Sequence, residues 1–265
     1  MLVSVCACLL CSASATWAAG TRVGTLIESI ASVDFTQNGE QQAAQSTAVG
    51  FVVAERLDVA VTRQSGQVVV SPGDVDRALL FTVTNLGNGD EVFRLSLNNA
   101  VAGNDFDPVS ALPDAIYFDT DGSGDFNVGD VAYSPGTNEP DLAPDESIGV
   151  FIVNDIPGGA VDGQLGRSEL AATAATGSGT AGTVYPTQGD GGVDAVVGVT
   201  TAMATEFGDY IVDDVAIDIV KSQVVADPDG GSAPIVGATI TYTITVAVVN
   251  SGIATAAVIS DPIPT

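Results

Sequence analysis

Between Ile240 and Val248 the even positions are Ile240, Tyr242, Ile244, Val246 and Val248, and Thr239, Thr241, Thr243 and Thr245 interleave with them. Successive side chains of an extended chain point to opposite sides, so this segment has one apolar face and one hydroxyl-bearing face. Its β-branched residues also suit a pleated, half-buried strand. Leu79 to Asn85 alternates in the same way and runs into a Gly87-Asn88-Gly89 turn. Glu91 to Leu97, Ala115 to Phe118 and Ile148 to Val153 are further strand candidates, set apart by Pro, Gly and Asp clusters. Beyond the first residues no stretch carries a helical stripe. Short strands with turn signals at this spacing predict an all-β chain built as a β-sandwich. Val59, Phe81, Val83, Val150 and Ile152 fall on the inward phase and are its predicted core.

The chain also repeats itself, which predicts a tandem array. Leu57 to Thr62 is similar in its alternation to Ala216 to Lys221. Each is followed by a Pro/Gly turn, a long alternating strand and an Asn-x-Gly, at Asn85 and at Asn250. Gly24 to Phe35 is similar to Gly166 to Thr176, and Ser46 to Val53 to Val199 to Phe207. Thr176 to Asp194 is expected to be an inserted Gly/Thr-rich loop whose shorter counterpart is Thr36 to Gln45. Residues 1–19 have no charged side chain and combine a short apolar run, Leu2 to Leu10, with Ala13-Ser14-Ala15, the pattern of a secretory signal peptide. The expected divisions are 1–19 as leader, 20–56 as a partial repeat, 57–215 as the central sandwich and 216–265 as a last, incomplete repeat. The ends then carry complementary parts of one kind of unit, and head-to-tail self-association by strand addition is an expectation.

Charge and residue inventory exclude several functions. The chain has 33 acids against 7 bases, a formal net charge of −26, which repels nucleic acid and anionic membranes. No segment is apolar and long enough to span a bilayer as a helix. There is no histidine, and the 3 cysteines all lie in the leader. The commonest nucleophile–base pairs and zinc sites therefore cannot be assembled, and an enzyme is not expected.

Lys221-Ser222-Gln223, Asp227-Pro228, Pro234 to Val249, Asn250-Ser251-Gly252 and Ser260-Asp261-Pro262-Ile263-Pro264 resemble the bacterial surface repeat known as the DUF11 or conserved-repeat domain. Phe81 to Gly89 resembles the related strand of such proteins. The resemblance implies an immunoglobulin-like sandwich, in arrays, in large secreted or cell-surface proteins.

One segment carries chemistry. A loop that wraps calcium takes oxygens from positions 1, 3, 5, 7, 9 and 12, with glycine at 6 for the turn. Counting from Asp119, those positions are Asp119, Asp121, Ser123, the Asp125 carbonyl, Asn127 and Asp130, with Gly124 at the turn; the set departs from the pattern only at the last position, where Asp130 is shorter than the usual Glu. The flanks, Ala115 to Phe118 and Val131 to Gly136, are β-prone or helix-breaking, so the loop is expected between strands and not in an EF-hand. Calcium binding and an Asp/Gly turn that binds nothing in particular are the two readings. Asp209, Asp213 and Asp214 read as a solvated strand edge, Glu139, Asp141, Asp145 and Glu146 as turn residues, and Asp190 to Asp194 as a mobile loop. The expected function is an extracellular or cell-surface structural or adhesive module, with its surface or matrix partner unspecified. A sandwich that binds carbohydrate or another ligand is the alternative.

Overall fold

The computed structural model describes residues 20–250 and 254–262. The predicted leader, with its cysteines, and Ile263-Pro264-Thr265 lie outside the described residues. The N-terminal strands are β1 (Leu26–Ser29), β2 (Ser32–Gln37), β3 (Glu40–Gln45) and β4 (Val49–Val52). The central body begins with β5 (Glu55–Leu57), β6 (Val59–Arg63), β7 (Val68–Val70), β8 (Arg77–Asn85) and β9 (Glu91–Asn98). It continues with β10 (Val109–Ser110), β11 (Ile116–Phe118), β12 (Val131–Ala132), β13 (Asp141–Leu142) and β14 (Ser147–Asp155). Then come β15 (Leu165–Ala174), β16 (Val184–Tyr185), β17 (Ala195–Val197) and β18 (Met203–Val212). A C-terminal hairpin follows, β19 (Ile217–Ala226) and β20 (Thr239–Val248). The described residues contain no α-helix.

Two sheets make the sandwich. One runs β12-β11-β14-β8-β6, with β10 also paired to β14, and the other runs β13-β9-β15-β18-β7. Taken in chain order, the seven main strands β6, β8, β9, β11, β14, β15 and β18 divide as A, B, E, D on one sheet and C, F, G on the other. That is the immunoglobulin arrangement. β7 leaves the first sheet to lie parallel to β18 on the second, Val69 beside Ile211.

The period-two pattern decides what faces inward. Along β8, Leu79, Phe81 and Val83 are fully buried, and Val150 and Ile152 of β14 meet them across the ladder, Val150 opposite Phe81. Val59 is buried too, so all five predicted core residues lie inside. The facing sheet supplies Phe93, Leu170, Ala172 and Tyr210. No disulfide is available here, and large side chains fill the centre. Gly208 of β18 makes room for them: a Cβ there would come within 2.6 Å of Leu79 and 3.0 Å of Phe81. Asn154, Ser168 and Tyr210 form one connected polar set within the body. Asn154 Nδ2 donates to Ser168 Oγ (2.9 Å) and Tyr210 Oη (3.2 Å), and Tyr210 Oη donates to the Arg77 carbonyl (2.9 Å).

β14 is apolar on both faces for a reason the alternation does not show. Phe151 and Val153 point away from the main core and are buried under Ala111, with Leu80, Tyr117 and Phe126 packed around them. Two segments differ from expectation. Thr36 to Gln45 is not a loop but the closed end of the β2–β3 hairpin, with Phe35 opposite Gln42 and a turn at Asn38-Gly39. Asn38 and Gly39 have positive φ (55° and 87°), which Asn and Gly tolerate at a tight turn. Within 176–194 lies β16, which pairs with β17 just after the stretch, and β17 runs parallel to β5, which fastens this stretch to the body.

Candidate metal loop and the acidic cleft

The loop 119–130 is the tip of the β11–β12 hairpin at the edge of the first sheet, where Phe118 pairs with Val131. The strand β14 lies directly behind it: the Asp119 N–H donates to the Gly149 carbonyl (3.0 Å). This approach requires glycine, because a Cβ at 149 would lie 2.8 Å from the Asp119 Cβ. The loop also reaches into the small outer core. Phe126 stacks edge-on against Tyr117 (4.9 Å between centroids) and Phe151 (5.8 Å).

Short-range hydrogen bonds fold the backbone around the acids. The Ser123 N–H donates to Asp121 Oδ1 (2.9 Å), the Gly124 N–H to Asp119 Oδ2 (3.1 Å) and the Asn127 N–H to Asp130 Oδ2 (2.8 Å). Gly122 and Gly124 take positive φ (67° and 75°), the left-handed backbone that glycine enters without strain. As a result, oxygens of Asp119, Asp121 and Asp130 lie within 4.8 Å of one another. This is the one such trio of acids among the described residues. Asp119 Oδ1 is buried with no hydrogen-bond partner among them. Hydrogen bonds from the Ser123 hydroxyl and amide, then from Asn127, hold the Asp121 carboxyl below the usual range, so it is ionised and available to a cation.

The remaining predicted ligands occupy the same loop in different ways. Ser123 Oγ donates to the Asp125 carbonyl (3.0 Å), so both are at the centre of the turn. Asn127 presents its amide nitrogen to Asp121 Oδ2 (3.1 Å) and the Asp125 carbonyl (3.0 Å), while its Oδ1 accepts from the Gly129 N–H (2.8 Å). A positive amide edge thus sits among oxygens that a cation would share. Chemically the set is hard oxygen, exposed at Asp121 and Asp125 and half-buried at Asp119 and Asp130, which suits calcium and not a soft metal.

The other acids are placed elsewhere. Asp209 is not a free strand edge: Arg63 (2.6 Å) and Arg167 (2.8 Å) clamp it from two strands. Asp214 accepts from Asn250 Nδ2 (3.4 Å). Glu139 and Glu146 accept from nearby backbone amides of Gly136 and Ala143, as turn residues do.

A cluster that the sequence did not single out lies around Glu55 and Glu91. Both are buried, and with Asp90, Asp141 and Asp190 they surround or line an open cleft. Glu55 Oε2 accepts from the Asp190 N–H (2.8 Å), and Asp190 Oδ2 accepts from the Asp90 N–H (2.9 Å). The 190–194 stretch is therefore a pinned turn and not a free loop. Burial pushes the Glu55 carboxyl up to about 7 against the Asp190 amide bond, helped by the charges of Asp190, Glu91 and Asp90. The available signals were glycines: Gly89 and Gly189 lie so close to the Glu55 carboxylate that a Cβ at either would clash with it.

No protein-family model matches this sequence, and no curated protein matches it. No helix among the described residues is long and apolar enough to cross a membrane.

Proposed function

We propose that this protein is an extracellular or cell-surface structural or adhesive module whose central immunoglobulin-like sandwich is stiffened by calcium bound in the loop 119–130. The observation that carries this reading is the convergence of Asp119, Asp121 and Asp130 at a loop whose Phe126 is part of the outer core. A cation that neutralises those three carboxylates would fix the loop, and through Phe126 and Gly149 it would fix the edge of the first sheet. Three clustered carboxylates repel one another without a cation, so the gain has a clear electrostatic source. Extracellular calcium is abundant enough that a dissociation constant of about 10⁻⁴ to 10⁻³ M suffices. The leader-like residues 1–19, the scarcity of groups able to do chemistry and the DUF11-like residues 221–264 support the same reading.

Direct binding tests it. Terbium, a hard-oxygen-seeking stand-in for calcium, should luminesce when Tyr117 is excited, since Tyr117 stacks on Phe126 of the loop. Calcium should compete it away, and Asp121→Ala should abolish the signal. Terbium emission unchanged in Asp121→Ala would place the cation elsewhere and remove this function for the loop.

A further inference from the structure

The acidic cleft beside β9, β13 and the 190–194 turn holds charge that the chain's own bases do not neutralise. Asp90, Glu91, Asp141 and Asp190 line it together with Thr176 and Gln188, and its volume is about 630 Å³. The β9–β13 ladder brings the first acids together, with Asp141 opposite Val92 and Leu142 opposite Glu91. Glu55 lies behind Asp190, accepting its N–H (2.8 Å).

Glu91 marks the cleft as a site. It is 5% exposed, and its Oε1 accepts from the Thr176 N–H (3.1 Å). Its Oε2 is buried with no hydrogen-bond partner among the described residues. A buried carboxylate oxygen without a donor is costly, and a bound ligand removes that cost. Burial pushes the Glu91 carboxyl above the ordinary range, against the hydrogen bonds from Thr176. A positive group beside it would reverse the shift.

The bases of the chain are engaged elsewhere. All 7 lie among the described residues, and 6 of them form ion pairs. Arg22 reaches only Asp90 at the rim (3.2 Å), and the others pair with acids outside the cleft. Arg94 donates to the Ala175 carbonyl (3.3 Å) and makes no ion pair with an acid of the cleft.

The arrangement suits an extended cation better than a metal ion. Among the described residues, three acids that could meet on one ion occur only at Asp119, Asp121 and Asp130, so those of the cleft are spread more widely. A guanidinium is planar and offers five N–H donors in a fork, so it can serve two separated carboxylates at once. Gly89 keeps space between acids open, since a Cβ there would lie 2.9 Å from Glu55 Oε1 and 3.1 Å from Asp190 Oδ2.

We infer that the cleft binds a guanidinium group, the side chain of an arginine presented by a partner peptide, with Glu91 and Asp190 as its carboxylate acceptors. Asp90 and Asp141 add negative field at the rim, and Glu55 is a positioning residue that holds the Asp190 turn. The inference goes beyond the calcium role and does not rest on it, since no residue of the loop 119–130 lines the cleft.

The test is isothermal titration calorimetry of the full chain with the peptide acetyl-Gly-Arg-Gly-amide, in chelator, which separates the result from the fate of the calcium reading. The pH is 8, above the raised Glu55 value of about 7, and salt is about 0.1 M, where charges more than about 10 Å apart are screened. The same peptide with citrulline, neutral and close in shape, should not bind, and its lysine form should bind more weakly. Glu91→Gln removes the charge at nearly constant size and should weaken binding at least about tenfold, because a hydrogen bond to a charged group is lost. Asp190→Asn stands in if circular dichroism shows that Glu91→Gln has lost structure. Asp218→Asn, at an exposed acid of the C-terminal hairpin, controls for bulk charge and should leave binding unchanged. Equal binding of the arginine and citrulline peptides, unchanged binding in Glu91→Gln, an equal loss in Asp218→Asn, or no binding would overturn the inference. So would displacement of the peptide by calcium in Asp121→Ala protein without chelator, which would mark the cleft as a metal site.

Discussion

Phe81 and Tyr242 stand in strands of the same pattern, yet Phe81 is fully buried and Tyr242 is 42% exposed. Alternation makes a strand with an apolar face in both. Burial needs a second layer, which the central sandwich has and the terminal hairpins lack among the described residues. The difference teaches that period two encodes strand and face, while the core is a property of how many layers the chain brings together. An isolated two-stranded hairpin is marginal in water, so the stability of this molecule should be concentrated between Leu57 and Val212.

The sharpest way to break that comparison is to truncate aromatic side chains on both sides of it. Phe81→Ala should cost about 3–5 kcal/mol in urea unfolding, the range for a buried aromatic. Phe51→Ala in the N-terminal hairpin should cost less than about 0.5 kcal/mol in dilute monomer, as for exposed positions in general. Equal losses would mean that both regions are cores.

A second test uses pH, which acts on the central body through Glu55. Its folded pKa of about 7 lies above the ordinary 4.5, so the folded state binds the extra proton between those values. Stability from this group is fully present below pH 4.5 and is lost as pH rises through 7. Glu55→Gln keeps an acceptor for the Asp190 N–H without the charge. Its stability relative to wild type should rise by roughly 2–3 kcal/mol from pH 5 to pH 7.5, at about 1.4 kcal/mol per unit of pKa. Parallel pH profiles for the two proteins would show that Glu55 is not held in a desolvated site.

A smaller effect should follow from Gly149→Val. The added side chain pushes on the Asp119 Cβ and should cost about 1–3 kcal/mol, as overpacking does. It should also weaken terbium binding, whereas Gly158→Val, where a Cβ meets nothing within 4 Å, should leave binding unchanged. Terbium affinity equal to wild type in Gly149→Val would separate the loop from the strand behind it.

Much of this was legible in the sequence, and the exceptions have physical causes. β8, β14 and β20 could be read directly because long alternating strands carry their own phase, and the five core residues followed from it. The strands β16 and β17 could not, since pairs and triplets of residues in a Gly-rich stretch have no measurable period. Glu55 and Glu91 look like surface in a sequence because an acid is buried only when backbone amides and close glycines surround it. The convergence of Asp119, Asp121 and Asp130 could be read because these acids are close neighbours in the chain. Gly149 could not, since its role depends on a strand brought up from elsewhere. Asp209 was misread for the same reason: its arginines, Arg63 and Arg167, come from other strands.

The most direct test of the calcium reading is thermal unfolding of wild type and Asp121→Ala, each with calcium and with chelator. Stabilisation by a ligand follows RT ln(1 + [L]/Kd), about 2.7 kcal/mol when free calcium is a hundredfold above Kd. For a body of this size that should raise the wild-type Tm by roughly 5–10 °C. Asp121→Ala should melt at one temperature in both conditions. A Tm that is the same in all four samples would contradict the account.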